Sequence, residues 1–548
     1  MILCGLWFGE VKPFMSLFTK PFTKSLKQLE TIGIDYEVDG TSYLTKGYLI
    51  CGPADLPAKS IVSNCNQFNG KYSCMRCMHP GETFKTNKGG CVHTFPYDAS
   101  KPQFDKRTFQ SCIEHAFTAI RDQKTTNGIK GPSFLMALKS YDFVKSNSID
   151  YMHGVLLGIT KLLIKLWISS GFSDQKFSVS KYVEIIDERL LQIKPPSFIT
   201  RIPRTLSDHF KYWKASELRL WLYYYSLPVM FDILTPAYLM HYACFVQGIY
   251  LLSTDCVTTD DLKMSQSLLS YFVHMFPSLY GERYVTLNMH SLLHLTECVE
   301  DLGPLWVYSC FPFENINGVL MELFHGTQNV ELQIISSVNV LQNMPDILRN
   351  IDDPTILKFI DKMKHKNLHH KISAGTLSGS CPIGAGSNIN LTEDLFGKLV
   401  TEVNFKPSKV FTYKRISHRG FILHSAAYTR VQVRNTFTVK FYNSSSKQIS
   451  YGIIAYFILV KKCDCMEKIC HCDLVLASVI EQYKEVKPSI LDPNFLFVQV
   501  PHIKVATKTN ILCVIDVSKI ISTVVNVDFE SSHGYHFLCE VPNLLESD

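Results

Sequence analysis

Apolar positions recur along this chain with three different rhythms, and each predicts a different kind of element. Met15, Phe18, Phe22, Leu26 and Leu29 fall on one side of a helix, and Gly33 is placed to stop it. Residues 34–45 alternate around Asp39-Gly40, the pattern of a hairpin. Tyr48, Leu49, Ile50 and Cys51 then form a short apolar run, expected as a buried strand that delivers Asp55 at its carboxyl end. From 101 to 365 the rhythm is helical. Val155, Leu156, Ile159, Leu162, Leu163, Leu166 and Trp167 make one face, with Lys161 and Lys165 opposite, and Leu218–Ser253 and Leu262–Phe276 repeat the pattern. The segment most like a membrane span, Pro236–Ser253, carries His241 and Gln247 and is expected as a buried core helix. Residues 366–395 turn to Ser, Gly, Asn and His, the composition of a linker. Beyond it, strand-like runs dominate: Val410–Ile416, Thr429–Arg434, Thr436–Tyr442, Tyr451–Val460, Leu474–Ile480, Phe495–Val500 and Ile511–Val517. They predict an all-β C-terminal domain.

Composition narrows the class. The 548 residues are 46% hydrophobic and 19% charged, which fits several globular domains and excludes a disordered chain. The net charge of +6 is mild and its Lys and Arg are scattered, so it permits nucleic-acid contact without arguing for it. Most of the 18 cysteines sit singly in apolar segments, as small buried hydrophobes do. With no basic region ahead of the opening apolar run, a reducing compartment, cytosol or nucleus, is expected.

Several constellations can carry chemistry. Cys74-x-x-Cys77 is followed by Cys91-x-His93 beyond the Gly89-Gly90 turn, a spacing that suits a structural zinc ion with all four places filled. His79 and Cys65 are substitute ligands, and two unrelated pairs of loop residues is the alternative. A strand-end acid beside such a pair suggests metal-dependent chemistry on an α/β scaffold. Asp55, Asp150 and Glu314 are the candidate acids, although an N-cap alone accounts for Asp150 and a helix first turn for Glu314. His290-x-x-x-His294 puts two imidazoles on one helix face, where helix packing is the expected role. Arg201, Arg204, Lys211, Lys214 and Arg219 are interleaved with Tyr212 and Trp213, which suits phosphate contact with base stacking, or equally a solvated helix face. Cys463, Cys465, Cys470, His471 and Cys472 form either a second zinc site or a thiol-rich loop.

Taken in order, several stretches resemble one family, the CACTA-type (Enhancer/Suppressor-mutator-like) DNA transposases in their animal form. They are Gly5-Leu-Trp-Phe-Gly-Glu-Val-Lys-Pro13, Asp55-Leu-Pro-Ala-Lys59 with Phe68-Asn-Gly and the Cys-x-x-Cys pair, and Gly128-Ile-Lys-Gly-Pro-Ser133. Then come Ile149-Asp-Tyr-Met-His-Gly-Val-Leu-Leu-Gly158, Arg204-Thr-Leu with Trp213-Lys-Ala-Ser-Glu-Leu-Arg219, Gly303-Pro-Leu-Trp306 and Phe313-Glu-Asn-Ile-Asn-Gly318.

The resemblance implies an α/β RNase H-like core with a large all-α insertion. Its boundaries would be 1–60 for a partial core, 61–100 for the zinc-binding loops, 101–300 for the insertion, 301–365 for the return to the core, 366–395 for the linker and 396–548 for the β domain. It implies a carboxylate triad holding two Mg²⁺ or Mn²⁺ ions, with Asp55 as second acid and Glu314 as third, Asp150 being the other choice for the third. The family's first acid lies on an opening strand upstream of Leu6-Trp-Phe-Gly, and Met1 stands too close for that strand. The expectation is therefore a nuclear transposase remnant, inactive in DNA cleavage and strand transfer. It would bind transposon-end DNA, stay off membranes and self-associate through an uncovered sheet edge. The alternatives are a non-enzymatic zinc-stabilised nuclear interaction scaffold, or an active two-metal transposase.

Overall fold

The computed structural model describes residues 3–546 apart from 8, 98–99, 101–103, 365–378, 408, 432, 462–473, 488–489, 492–497, 530–533 and 544–545. The chain divides into two compact units, Met1–Leu166 with Cys244–Lys364, and Trp167–Ala243 with His365–Asp548. The helical stretch before residue 300 is shared between them, Trp167–Ala243 lying in the same unit as the C-terminal sheet. Overall the chain mixes helices with a large antiparallel sheet.

The first unit is mostly helical. Its helix Lys20–Thr31 ends before Gly33, whose φ of 92° only glycine adopts cheaply. Glu30 on this helix is buried and accepts the backbone N–H groups of Lys139 and Ser140, at 3.1 and 2.6 Å. The expected hairpin pairs Ile34–Val38 with Thr41–Thr45, with every residue exposed. The strand expected at Tyr48–Cys51 does not form: this segment is irregular, with Tyr48 and Ile50 exposed. A strand needs a neighbour for its backbone groups. Here Leu49 O accepts from Ser140 Oγ and Gly52 N–H donates to Ser146 O, so a loop satisfies them instead. Among the described residues this unit holds only two-stranded ribbons, the second being Glu82–Lys85 with Cys91–Thr94, and the central sheet of an RNase H-like core is not among them.

Helix Thr259–Tyr280 starts with a reciprocal cap between Thr258 and Asp261 and packs Phe272 on Phe245 with centroids 4.8 Å apart. The segment read as a core helix, Pro236–Leu251, is one, with Tyr242, Cys244, Phe245 and Ile249 fully buried. No helix among the described residues is long and apolar enough to cross a membrane.

The second unit is built on a nine-stranded antiparallel sheet. Its centre pairs Thr438–Asn443, Gln448–Lys461, Leu474–Lys487 and Ile503–Asp516 in turn. Period-two alternation serves both faces. Phe457 and Leu459 pack with Phe441, Leu476 and Ile480 against Ile416 and Leu423 of a small three-stranded sheet. Ile458 and Val460 pack on the opposite face against Leu395 and Leu399 of helix Glu393–Val403. Strand Ser380–Pro382 falls inside the stretch expected as linker, and that helix begins at its very end. The run Val410–Ile416 breaks into Val410–Tyr413 and Arg415–His418, and Thr429–Arg434 is not a strand. Arg434 instead donates to the Pro196, Ile199 and Thr200 carbonyls, fastening the helical segment of this unit to its sheet region.

Gly452 marks the tightest point of the sheet. A Cβ there would lie 2.4 Å from Ile480 Cγ2 and 2.6 Å from the Glu481 carbonyl oxygen. Gly452→Ala should cost about 1–3 kcal/mol in urea unfolding. Gly397→Ala, in helix Glu393–Val403 with open space around it, should be neutral or stabilise by up to about 1 kcal/mol. Equal midpoints for the two variants would contradict this packing.

Candidate metal centre and acid cluster

Cys74 and Cys77 lie on a loop that Arg107 holds in shape. Its guanidinium donates to the Cys74 carbonyl from Nε at 2.8 Å and to the Tyr72 and Asn127 carbonyls from Nη2 at 2.8 Å each. Tyr72 adopts a φ of 56°, and the Arg76 N–H turns back to Cys74 Sγ at 3.4 Å. His290 and His294 come from the helical segment that starts at Leu287, one turn apart on one face. Four donor atoms, one from each of these residues, lie within 4.8 Å of one another, and all four residues are buried. Cys77 Sγ is 3.2 Å from His290 Nε2, and the Nε2 atoms of His290 and His294 are 3.4 Å apart. Phe95 stacks on the His290 ring at 5.3 Å and, with Leu287 and Leu56, makes the surroundings apolar.

The electrostatics are those of a ligand set. Burial opposes ionisation of Cys74, but the Cys77 hydrogen bond and the charges of His294 and His290 outweigh it and hold its pKa well below the usual thiol value. The hydrogen bond to Cys74, then burial, pushes the Cys77 thiol up. Burial would lower His294; the Cys74 thiolate and Glu297 reverse this and bring it to about 9. Glu297 stands behind the cluster, 3.4 Å from His294 Nδ1 and 2.9 Å from Lys106 Nζ. A carboxylate on the far nitrogen of a ligating histidine fixes the ring and raises its basicity. This buried Cys/His cluster can hold a metal ion.

Sequence reading found half of this set. Cys91 is exposed and His93 packs edge-on against Phe95 at 5.1 Å, so neither joins Cys74 and Cys77. His290 and His294, expected to serve helix packing, take their places. His79 sits alongside, 5.2 Å from the His290 ring, with Nε2 engaged by the Pro96 carbonyl, and Cys65 is buried in a separate apolar cluster. Cys463, Cys465, Cys470, His471 and Cys472 lie outside the described residues.

The three candidate acids come together beside this centre. Asp55 caps helix Leu56–Val62, accepting the Ala58 N–H at 2.6 Å. Asp150 precedes a wide, π-helical stretch, Met152–Thr160, that carries His153. Glu314 lies in the first turn of helix Phe311–Glu322. Both Asp55 and Glu314 are close enough to His153 to raise its pKa, behind the larger effect of the hydrogen bond with Asp150. Asp55, Asp150 and His153 also line one small cavity with Cys74.

Asp150 is buried and its oxygens are fully used. Oδ1 accepts from the N–H groups of Met152 and Cys310, at 3.3 and 2.8 Å, and Oδ2 accepts from the His153 N–H at 2.9 Å and lies 2.6 Å from His153 Nδ1. Burial opposes its ionisation, but these bonds prevail and its pKa falls. Lys59 is buried nearby, its ammonium donating to the Ser148 carbonyl. Cys310 completes a second cluster with Asp150 and His153. Burial, then Asp150, pushes its thiol up, so it stays protonated.

The basic residues singled out from sequence are not one free patch. Arg204 makes a two-pronged pair with Glu217 at 2.7 Å on each arm, and Arg219 is buried against Glu546 at 3.0 Å. Arg201 donates to Ser216 Oγ, while Lys211 and Lys214 are exposed.

No protein-family model matches this chain, and no curated protein matches it.

The Asp150–His153 pair gives a definite pH dependence. The raised His153 pKa means its contribution is complete below the unfolded value of about 6.5 and is lost as pH rises through the folded value. The lowered Asp150 pKa means its contribution is complete above the unfolded carboxyl value and is lost only as pH falls through the folded value. Asp150→Asn should therefore destabilise by about 1.5–3 kcal/mol at pH 6 and by less at pH 9. A destabilisation independent of pH in urea titrations would show that the pair carries no charge.

Proposed function

We propose that this chain is a transposase-derived nuclear protein of the CACTA type, held in shape by a structural zinc ion and inactive as a DNA-cleaving enzyme. One observation carries the reading: Asp55 and Asp150, distant in sequence, line one cavity with His153, and Glu314 lies near enough for its charge to act on the same imidazole. A carboxylate site for two divalent ions needs free oxygens and no competing cation. Here Asp150 has no lone pair to spare, and an imidazole whose basicity is raised occupies the centre of negative charge. Inactivity follows from how the acids are occupied, and DNA binding is what the resemblance to CACTA-type transposases implies.

Zinc fits the neighbouring cluster on donor chemistry and on distance. Two thiols and two imidazoles are its usual structural ligands, and Zn–N bonds of about 2.0–2.1 Å in a tetrahedron imply an N···N edge of roughly 3.3–3.4 Å. The His290–His294 separation of 3.4 Å matches. When bound, zinc would supply cross-bracing rather than chemistry, because four protein donors leave it no open position.

Purified chain should carry one equivalent of zinc by plasma mass spectrometry. Cys74→Ser and His294→Ala should lose it, Cys91→Ser should keep it, and Glu297→Gln should weaken affinity by about 10–100-fold. Zinc retained by Cys74→Ser but lost by Cys91→Ser would move the site back to the ligands expected from sequence.

DNA binding should be weak and modestly salt-dependent. Of the five basic residues singled out, Arg201, Lys211 and Lys214 are not in ion pairs, so if these contact phosphates the slope of log K against log salt should be about −3, and Lys211→Ala with Lys214→Ala should reduce it by about two. No cleavage is expected in Mg²⁺ or Mn²⁺. Cleavage that disappears in Asp55→Asn or Glu314→Gln would overturn the inactive reading.

A further inference from the structure

The second unit contains a cavity of about 340 Å³ that none of the preceding roles uses. Phe198, Tyr223, Tyr224, Phe421, Leu423 and Ile520 supply most of its wall, which is predominantly apolar. Its size lies within the range of about 300–1,000 Å³ typical of small-molecule sites. It is also far larger than the voids a close-packed interior tolerates.

The polar groups at this wall are few and fixed. His418 is buried, its Nδ1 is 2.7 Å from Ser380 Oγ, and its Nε2 lacks a well-formed hydrogen bond. Burial, then the charge of Arg419, lowers the pKa of this imidazole, Asp516 and the Ile520 backbone opposing the effect only in part. Arg219 and Glu546 form an ion pair at 3.0 Å, each with only 8% of its side chain exposed. Arg419 stands at the turn between strands Arg415–His418 and Phe421–His424, exposed, with one contact of 3.4 Å to the Ser518 carbonyl. With Arg219 balanced by Glu546, Arg419 leaves the cavity lining one net positive charge.

We propose that this cavity binds a small amphipathic molecule: a compact aromatic or branched apolar body that fills the chamber, carrying one anionic group that meets Arg419 at the mouth. His418 Nε2 offers a polar contact inside, its ring held by Ser380. The apolar body supplies most of the affinity by leaving water, and the charge orients it. The inference is independent of any DNA-related role.

Two fluorescent probes test it on the full chain: 1-anilinonaphthalene-8-sulfonate, which is anionic, and N-phenyl-1-naphthylamine, its neutral counterpart. Each should occupy one saturable site that Ser522→Trp, which places bulk in the cavity lining, removes, so the stoichiometry falls by one. Arg419→Glu should weaken the sulfonate by about tenfold or more and leave the neutral probe within about twofold. Probe stoichiometry unchanged by Ser522→Trp in a variant that melts like the parent would overturn the site. Equal effects of Arg419→Glu on both probes would overturn the anionic class. Should Ser522→Trp fail to fold, the split between the two probes in Arg419→Glu decides alone, because Arg419 is exposed and its substitution leaves the core intact.

Discussion

The convergence of Cys74, Cys77, His290 and His294 is the constraint on which the first unit depends. Cys77 and His290 are 213 residues apart and their donor atoms are 3.2 Å apart. Without an ion this is an unfavourable arrangement: a thiolate, a thiol and imidazoles packed into an apolar shell of Phe95, Leu287 and Leu56. With an ion the same donors become satisfied, and the binding energy becomes folding energy. Arg107 and Glu297 hold the two halves in readiness, one by fixing the cysteine loop through three carbonyls and the other by orienting His294. An ion bound there would cross-brace a unit that has only two-stranded ribbons among its described residues.

The acid cluster hangs from the same element. The His290 segment approaches the stretch carrying His153 so closely that a Cβ at Gly158 would lie 2.7 Å from Asn288 Nδ2. The wide helical turn after Asp150 and the small residue at 158 therefore set both the metal centre and the position of His153. Asp150 also accepts the Cys310 N–H, which ties the segment leading to Glu314 to the same point. The negative charge collected there faces His153, whose pKa it raises.

The second unit follows a different logic. Its central strands are apolar on both faces because one face carries a helix and the other a small sheet, and the alternation of Phe457 and Leu459 with Ile458 and Val460 serves both. Arginines make the remaining joints. Arg434 joins to carbonyls, and Arg189 pairs with Asp232 at 2.5 Å while lying over the Phe529 ring. Arg204 and Arg219, which look like phosphate contacts in the sequence, are joints of the same kind. A basic residue beside an aromatic reads alike in sequence whether it faces solvent or a buried carboxylate, and only packing distinguishes the two.

Local patterns were legible wherever the signal is itself local. The helix ending at Gly33, the hairpin at Asp39-Gly40, the buried helix from Pro236 and the long C-terminal strands follow from periodicity and turn chemistry that act over a few residues. The Cys74-Cys77 pair was legible for the same reason, since both donors sit on one turn. By itself the sequence determined which short segments are helical, which alternate, and which side chains are chemically able to bind a metal. Tertiary structure alone decided that His290 and His294 rather than Cys91 and His93 complete the cluster, that Tyr48–Cys51 stays irregular, and that the helices of Trp167–Ala243 belong with the β region. Each of these outcomes depends on which distant segment satisfies a donor, an acceptor or an apolar face. Spacing along the chain carries no information about distance in space once the loop between two segments is long.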